Sequence, residues 1–191
     1  MARPAWRPGN LPAEVTSFIG RSHELSEIRG KLAQARLVTL TGPGGVGKTR
    51  AALQAAAGLQ RRFRDGAWLA ELADLRDPSL LAGAVMSALD LRDQAAADPL
   101  TVVTAYLRTK DLLLILDNCE HLLPAAAQFA RAVITAAPGV RVIATSRQPL
   151  SVPGEHVVPV PPLPVPAPAD DPSRPGALRR NEAVRLFAER A

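Results

Sequence analysis

One stretch of the chain, TGPGGVGKTR at residues 41–50, combines residue types that bind phosphate. Gly42, Gly47, Lys48 and Thr49 stand at the spacing GxxxxGK followed by Ser or Thr. Glycines allow a backbone to wrap around an anion, so that successive N–H groups point inwards. The lysine adds a positive charge beside the β- and γ-phosphates of a nucleotide, and the threonine hydroxyl is a ligand for Mg²⁺. The stretch is therefore either a phosphate-binding loop or a flexible Gly-rich turn.

The sequence on either side of this stretch decides between the two interpretations. LVTLT at residues 37–41 is a short, apolar and β-branched run that predicts a buried strand. TRAALQAAAGLQRRF at residues 49–63 is rich in alanine and predicts a helix. A phosphate-binding loop follows a strand and opens a helix, whose positive dipole end faces the anion. We therefore predict that this loop binds a nucleotide.

A second candidate residue ends the most apolar run of the chain, LLLILD at residues 112–117. In nucleotide hydrolases with such a loop, a hydrophobic strand that ends in an aspartate holds the Mg²⁺ and its water shell, which predicts this role for Asp117. Hydrolysis also needs a group that positions or deprotonates the attacking water. Asn118 cannot act as a base, whereas Glu120 is either such a base or a cap of the next segment. His121 has no second metal ligand at usable spacing and is predicted to be structural.

A third candidate, Arg147, follows the strand predicted at VRVIATS, residues 140–146. Open α/β sheets bind ligands outside the carboxyl ends of their strands. We therefore expect Arg147 beside the phosphate-binding loop, where its guanidinium can reach a γ-phosphate and report its presence. An arginine on the surface without such a role is the alternative.

Strands and helices alternate along the chain, which predicts an α/β fold with three layers and a mostly parallel sheet of about five strands. Pro159 places the last of these strands at an edge, because proline is poorly tolerated in a central strand. Asp77-Pro78 and Asp98-Pro99 each combine an N-cap with a proline at the first helical position. The predicted strands are 37–41, 67–72, 112–117, 140–146 and 156–160, and the predicted helices are 22–35, 49–63, 78–89, 99–109, 124–136 and one beginning near residue 181.

The pattern of prolines divides the chain into segments. Ten of the 18 prolines fall within residues 149–175, which predicts a stiff, extended linker. The predicted organisation is an N-terminal arm at 1–15, a nucleotide-binding core at 16–160, a Pro-rich linker at 161–176 and the start of a truncated helical subdomain at 177–191. In the last segment, Val184, Phe187 and Ala188 are expected on one face of a helix.

Composition limits the classes of function. The 47% hydrophobic content supports a globular protein, and the single cysteine excludes a disulfide framework. No apolar run approaches the length of a membrane span, and the first residues have no apolar core of a secretory signal, so a cytoplasmic protein is expected. The net charge of +5 comes largely from scattered arginines without a recognition motif, which argues against DNA binding by this chain itself.

Several motifs in this order resemble a known family: FIGR at 18–21, TGPGGVGKTR at 41–50, LLLILDNCEHL at 112–122, ATSRQPL at 144–150 and EAVRLFAERA at 182–191. They look like the signalling NTPases with numerous domains (the STAND class). More narrowly, they resemble the NB-ARC-type, AAA-like ATPase module of large bacterial transcriptional regulators of the LuxR and antibiotic-regulatory sorts. LDNCEH followed by ATSR is more specific than the phosphate-binding motif alone.

The resemblance implies roles for named positions. FIGR would lie near the adenine and ribose, Asp117 and Thr49 would serve Mg²⁺, and Arg147 would act as a γ-phosphate sensor. Lys48, Asp117, Glu120 and Arg147 are the candidates for catalysis. The residues expected to contact ATP or ADP are Phe18, Ile19, Gly20, Arg21, Gly42, Pro43, Gly44, Gly45, Val46, Gly47, Lys48, Thr49 and Arg50. Modules of this kind are ATP/ADP switches that assemble into oligomers with ATP bound, and they reach DNA only through other domains.

Two positions depart from the family pattern. Asn118 stands where many relatives have a second acid, which favours slow hydrolysis, and Ser22 stands where relatives often have Glu. A nucleotide-binding interaction module without significant catalysis is therefore the main alternative to an ATPase. A small-molecule kinase is a weaker one, since the Pro-rich segment at 149–175 does not resemble an arginine-bearing lid.

Overall fold

The computed structural model describes residues 9–13, 18–91, 98–164 and 181–189. Most of the predicted linker and the ends of the two terminal segments lie outside this part of the chain. The strands are β1 Leu37–Thr41, β2 Ala67–Glu71, β3 Leu113–Asp117, β4 Arg141–Ser146 and β5 Glu155–Pro159. The helices are α1 Ser22–Gln34, α2 Lys48–Leu59, α3 Leu81–Ala88, α4 Pro99–Leu107, α5 Leu123–Ala136 and α6 Glu182–Ala188.

The five strands form one sheet in the order β2-β3-β4-β1-β5, and every neighbouring pair is parallel. The predicted α/β fold with five strands is therefore confirmed, and β5 lies at an edge as Pro159 predicts. Because the strands are parallel, all their carboxyl ends lie on the same side of the sheet. The predicted site residues that follow β1, β3 and β4 consequently lie together at these carboxyl ends.

Two apolar clusters cover the two faces of the sheet. Along β3, Leu114 and Leu116 belong to the cluster that contains α3, α4 and α5, whereas Leu113 and Ile115 belong to the cluster that contains α1 and α2. All five residues of β3 are buried, because a parallel strand covered on both faces has no solvent side. This alternation produces the predicted three layers.

Two predicted helices differ from the structure by a 3₁₀ turn at one end. The helix predicted at 49–63 ends at Leu59 and continues as a 3₁₀ turn, Gln60–Arg62. The helix predicted from Pro78 begins as a 3₁₀ turn, Pro78–Leu80, before α3. The two aspartate caps are as predicted.

The caps act through the hydroxyl and amide of a nearby residue. Asp98 accepts hydrogen bonds from the hydroxyl and amide of Thr101 at the start of α4, at 2.8 and 2.9 Å. Asp77 accepts the same pair from Ser79 in the 3₁₀ turn that leads into α3, at 2.8 and 2.9 Å. The hydrogen bond from the hydroxyl, and after it the one from the amide, holds the pKa of each carboxyl below its ordinary value.

A segment outside the regular elements covers one edge of the sheet. At the β2 edge, Gly9 forms a parallel bridge with Ala67, and the Asn10 side chain accepts from the Leu69 amide at 2.6 Å and donates to its carbonyl at 2.9 Å. This portion of the segment predicted as an arm therefore runs along β2. Such pairing covers an exposed strand edge.

The last helix, α6, has no fully buried side chain among its described residues. Asn181 caps it by accepting from the amides of Ala183 and Val184 at 3.0 and 3.2 Å. The apolar face predicted there is present in sequence, but Phe187 is 75% exposed. The ends of this predicted segment, residues 177–180 and 190–191, lie outside the described residues.

The two-sided burial of β3 predicts a large stability cost for truncating it. We expect Leu114→Ala to lower the free energy of unfolding by about 2–5 kcal/mol, because Leu114 is fully buried and the sheet cannot collapse into the cavity. Leu80→Ala is the matched control, since Leu80 is 56% exposed and its loss should cost under about 0.5 kcal/mol. Urea unfolding of both variants measures the difference, and equal costs would contradict the packing described.

Candidate nucleotide-binding site

The phosphate-binding loop leaves β1 and enters α2 as predicted. Gly47, the residue before α2, has φ +95°, a conformation that favours glycine. Lys48 is buried, and its ammonium donates to the carbonyls of Gly42 and Pro43, both at 2.9 Å. The lysine side chain thus folds back over the first half of its own loop.

Asp117 lies at the centre of a hydrogen-bond network between three elements. Its Oδ1 accepts from the Thr49 hydroxyl of α2 at 2.7 Å and from the Thr145 hydroxyl of β4 at 2.6 Å. The Thr145 hydroxyl in turn accepts from the Asn118 amide at 2.8 Å. Two hydroxyl donors compensate a carboxylate that is only 8% exposed. The two residues predicted to serve a metal are therefore in direct contact.

The donor atoms at this contact fit Mg²⁺. A hydroxyl oxygen and a carboxylate oxygen are hard ligands, and Mg²⁺ is usually bound by one or two such groups together with substrate phosphates. The described residues contain no group of three or more His, Cys, Asp or Glu side chains that could hold a metal ion. His121 instead bonds the Leu75 carbonyl through Nε2 at 2.8 Å, in agreement with the predicted structural role.

The candidates Glu120 and Arg147 pair with each other. Arg147 Nε donates to Glu120 Oε1 at 3.2 Å, and Glu120 Oε2 is buried without a hydrogen-bond partner among the described residues. The carboxylate therefore caps no helix. A Cβ built at Gly44 would lie 3.3 Å from a terminal nitrogen of Arg147, so the guanidinium rests against the phosphate-binding loop.

A cavity of about 500 Å³ lies beside the loop. Its walls come from four separate parts of the chain: the FIGR segment, the loop with the start of α2, the residues after β5, and α6. The lining residues are Phe18, Ile19, Arg21, Pro43, Gly44, Gly45, Val46, Gly47, Arg50, Pro162, Leu163, Ala183 and Leu186. The tertiary structure therefore brings the segment predicted to face adenine next to the segment predicted to face phosphate.

Arg21 connects these walls. It is 6% exposed and has φ +58°. Its guanidinium donates to the Val46 carbonyl of the loop at 2.7 Å and to the Pro161 carbonyl after β5 at 2.9 Å, and it pairs with Glu24 at 3.4 Å. Its backbone amide donates to Glu182 of α6 at 3.3 Å. The side chain thus fixes the cavity wall through protein contacts.

The aromatic and glycine of FIGR have separate contacts. The Arg50 guanidinium lies 5.9 Å from the centre of the Phe18 ring, a cation–π distance. The Glu182 carboxylate lies against Gly20, where an added Cβ would come within 2.3 Å of it. These contacts join FIGR to α2 on one side and to α6 on the other.

Comparison with known sequences assigns the family. The AAA domain family matches residues 31–145, which is more than half of the chain. The chain belongs to the AAA domain family. The matched region holds the phosphate-binding loop, Asp117 and Thr145, so the AAA domain is a nucleotide-binding module of the P-loop type.

Relatives of this AAA domain occur in bacterial regulators. An uncharacterised protein of Mycobacterium tuberculosis is 34% identical over 177 residues, which cover 93% of the chain and 42% of that protein. A protein of the same organism, named as an HTH-type transcriptional regulator, is 37% identical over 86% of the chain and 17% of its own length. The regulatory protein AfsR of Streptomyces griseus is 32% identical over 80% of the chain and 16% of its length. The chain thus spans less than half the length of these relatives, and the expected resemblance to regulator modules is confirmed.

Solved structures share the fold. A STAND protein with a tetratricopeptide repeat sensor from Pyrococcus horikoshii superposes with a TM-score of 0.55 at 20% identity, covering 82% of the chain and 25% of that protein. Cdc6p from Pyrobaculum aerophilum gives a TM-score of 0.55 at 15% identity, covering 81% of the chain and 48% of that protein. At these identities the likeness concerns the fold of the AAA domain.

Sequence reasoning missed several residues at the site. Thr145 is the penultimate residue of β4 and lies beside Asp117, and its place near the end of the neighbouring strand was the available signal. Pro162, Leu163, Ala183 and Leu186 line the cavity, but no local pattern marks them, because they lie far from the loop in sequence.

The single cysteine of the AAA domain follows Asn118 in sequence and belongs to the apolar cluster that contains α3, α4 and α5. Cys119 is fully buried, and its Sγ donates to the Leu116 carbonyl at 3.4 Å. Burial, followed by the negative charges of Asp117 and Glu120, raises the pKa of the thiol from 9.0 to about 12. The thiol therefore remains protonated in the folded protein where an unfolded chain would ionise it.

This shift predicts a loss of stability in alkali. Between pH 9 and 12 the unfolded thiol is ionised while the folded thiol keeps its proton, so unfolding releases a proton. The free energy of unfolding should then fall by up to about 1.4 kcal/mol per pH unit from this group. Cys119→Ala lacks the titrating thiol, so its deficit relative to the wild type should shrink from pH 8 to pH 11 in urea unfolding. A constant deficit would contradict the prediction.

No helix within the described residues combines the length and the apolar character that crossing a membrane requires.

Proposed function

We propose that this AAA domain is an ATP/ADP-binding switch module that hydrolyses ATP slowly with Mg²⁺. The observation that carries the proposal is the 2.7 Å hydrogen bond between Thr49 and Asp117. It brings a hydroxyl at the start of α2 and a carboxylate at the end of β3 together beside the loop that contains Lys48. These are the groups that a P-loop hydrolase uses to hold magnesium and phosphate.

Each part of the loop would take one part of the nucleotide. The backbone amides from Gly42 to Thr49 and the N-terminus of α2 would face the α- and β-phosphates. Lys48 would exchange its bonds to the Gly42 and Pro43 carbonyls for the β- and γ-phosphates. Thr49 and Asp117 would hold Mg²⁺, which when bound neutralises charge on the β- and γ-phosphate oxygens.

The cavity beyond the loop suits a nucleoside. Its volume of about 500 Å³ lies within the usual range for small-molecule sites, and its walls include Phe18, Ile19, Leu163 and Leu186. These apolar walls would take the adenine, with Gly20 and Arg21 supporting them and Arg50 at the rim. ATP and ADP differ only at the other end of the ligand, beside Lys48 and Arg147.

Slow turnover is proposed because the site lacks a free base in the expected place. Asn118 follows Asp117 with φ +64°, and its amide group cannot accept a proton from water. Glu120, the other candidate, is engaged by Arg147. Attack by water would rely on the charges of Lys48 and Mg²⁺ more than on proton abstraction.

The relatives suggest the setting of such a switch. They include a protein named as an HTH-type transcriptional regulator and one named as a regulatory protein, both several times longer than the matched region. We propose that the chain is the STAND-class, NB-ARC-like module of a cytoplasmic regulator of the LuxR or antibiotic-regulatory type. Oligomers would form in the ATP state, and contact with DNA would come from segments other than this module.

A second candidate function is a nucleotide-binding interaction module without significant catalysis. Asn118 and the pairing of Glu120 with Arg147 favour it, because both leave the attacking water without an activating group. The two candidates share nucleotide binding and differ in phosphate release.

Nucleotide binding is tested first. We expect Lys48→Ala to weaken ATP binding by about 100-fold or more in calorimetry, because a charged hydrogen-bond partner of the phosphates is lost. Lys31→Ala on α1 is the matched control, since Lys31 does not line the cavity within the described structure. Undiminished ATP affinity of Lys48→Ala would overturn the proposed function.

Hydrolysis is tested by single-turnover release of phosphate with excess protein. We expect a slow, Mg²⁺-dependent release that falls about 100-fold in Asp117→Asn, because the amide keeps an acceptor for Thr49 and Thr145 but loses the charge. Asp74→Asn, at an exposed aspartate, is the matched control. No release by the wild type, with ATP still bound, would favour the interaction module.

A further inference from the structure

Arg147 has a protein partner that would compete with a nucleotide for the same charge. Its Nε lies 3.2 Å from Glu120 Oε1, and its side chain is 64% exposed whereas that of Glu120 is 18% exposed. The arginine can therefore swing into solvent or towards the loop, while the glutamate is held in place. When the pair separates, Arg147 is therefore the side chain that moves.

Glu120 is poorly satisfied without Arg147. Its Oε2 is buried and has no hydrogen-bond partner within the described part of the chain. A partly buried carboxylate without compensating donors is costly, so removing Arg147 from it has a free-energy cost. Departure of the guanidinium removes the bond to Oε1 as well, so this cost adds to that of the unpaired Oε2.

The guanidinium already lies at the half of the loop where the terminal phosphate is expected. It rests against Gly44, where an added Cβ would be 3.3 Å away, and Lys48 bonds the neighbouring carbonyls of Gly42 and Pro43. Both cations therefore contact this part of the loop.

We propose that Glu120 is a positioning residue that competes with the γ-phosphate for Arg147 and thereby sets the preference of the site for ATP over ADP. This inference rests on the proposed nucleotide binding. With ADP, Arg147 keeps its bond to Glu120. With ATP, the guanidinium turns to the γ-phosphate, and the cost of leaving Glu120 is subtracted from the affinity for ATP. The pair thus favours the ADP-bound state.

The role differs from that of a general base. A base would accept a proton from water and change only the rate of hydrolysis. A competing counter-ion changes the ratio of ATP to ADP affinity and acts only through Arg147. The two roles are therefore separable by equilibrium binding, without a measurement of turnover.

The test is a double-mutant cycle read out as the ratio of ADP to ATP dissociation constants in the 191-residue chain, measured by calorimetry with Mg²⁺. We expect Glu120→Gln to raise this ratio about 3- to 10-fold, as loss of a partly exposed ion pair would. Arg147→Gln should lower the ratio. Adding Glu120→Gln to Arg147→Gln should leave the ratio unchanged, because no guanidinium remains to be released.

Controls keep the outcomes distinct. Arg131→Gln, at an exposed arginine of α5, should leave the ratio at the wild-type value, and circular dichroism should show each variant folded. An unchanged ratio in Glu120→Gln, or a change that persists without Arg147, overturns this inference and leaves the proposed function intact. A wild-type chain that binds neither nucleotide overturns the proposed function and this inference together.

Discussion

The carboxylate of Asp117 is the contact on which the geometry of the site depends. It accepts the hydroxyls of Thr49 and Thr145, so the start of α2, the end of β3 and the end of β4 meet at one oxygen. A buried carboxylate that lost either donor would be strongly destabilised, and this couples the three elements. The start of α2, and with it the phosphate-binding loop, is thereby held against the carboxyl ends of β3 and β4.

The order of the strands explains why β4 also takes part in that contact. β1, which carries the loop, and β3, which carries Asp117, are separated by β4. Thr145 on β4 occupies the gap, accepting the Asn118 amide and donating to Asp117. The same order brings Arg147, the next residue but one, between the loop and Glu120. The pairing of Arg147 with Glu120 thus follows from the position of β4 between β3 and β1.

The cavity beside the loop, where we propose that the nucleoside binds, is assembled differently. No single element forms it; the FIGR segment, the residues after β5 and α6 each supply one wall. Arg21 holds them by donating to carbonyls of the loop and of Pro161, while its amide meets Glu182. A molecule that filled the cavity would contact the loop and α6 at once, which provides a physical connection between the site and the C-terminal helix.

The sequence alone determined the elements of the fold and the phosphate side of the site. Strand, glycine loop and helix are local patterns, as are an apolar run that ends in Asp117 and an aspartate-proline cap, because each depends on backbone conformation and burial within a few residues. Only the tertiary structure decided how Glu120 is used and which residues enclose the cavity. Glu120 and Arg147 follow two neighbouring strands, and Leu163 and Leu186 line the same cavity as the loop although they lie far from it in sequence. Such contacts depend on which strands are neighbours and on how distant segments pack together, and no local pattern encodes either.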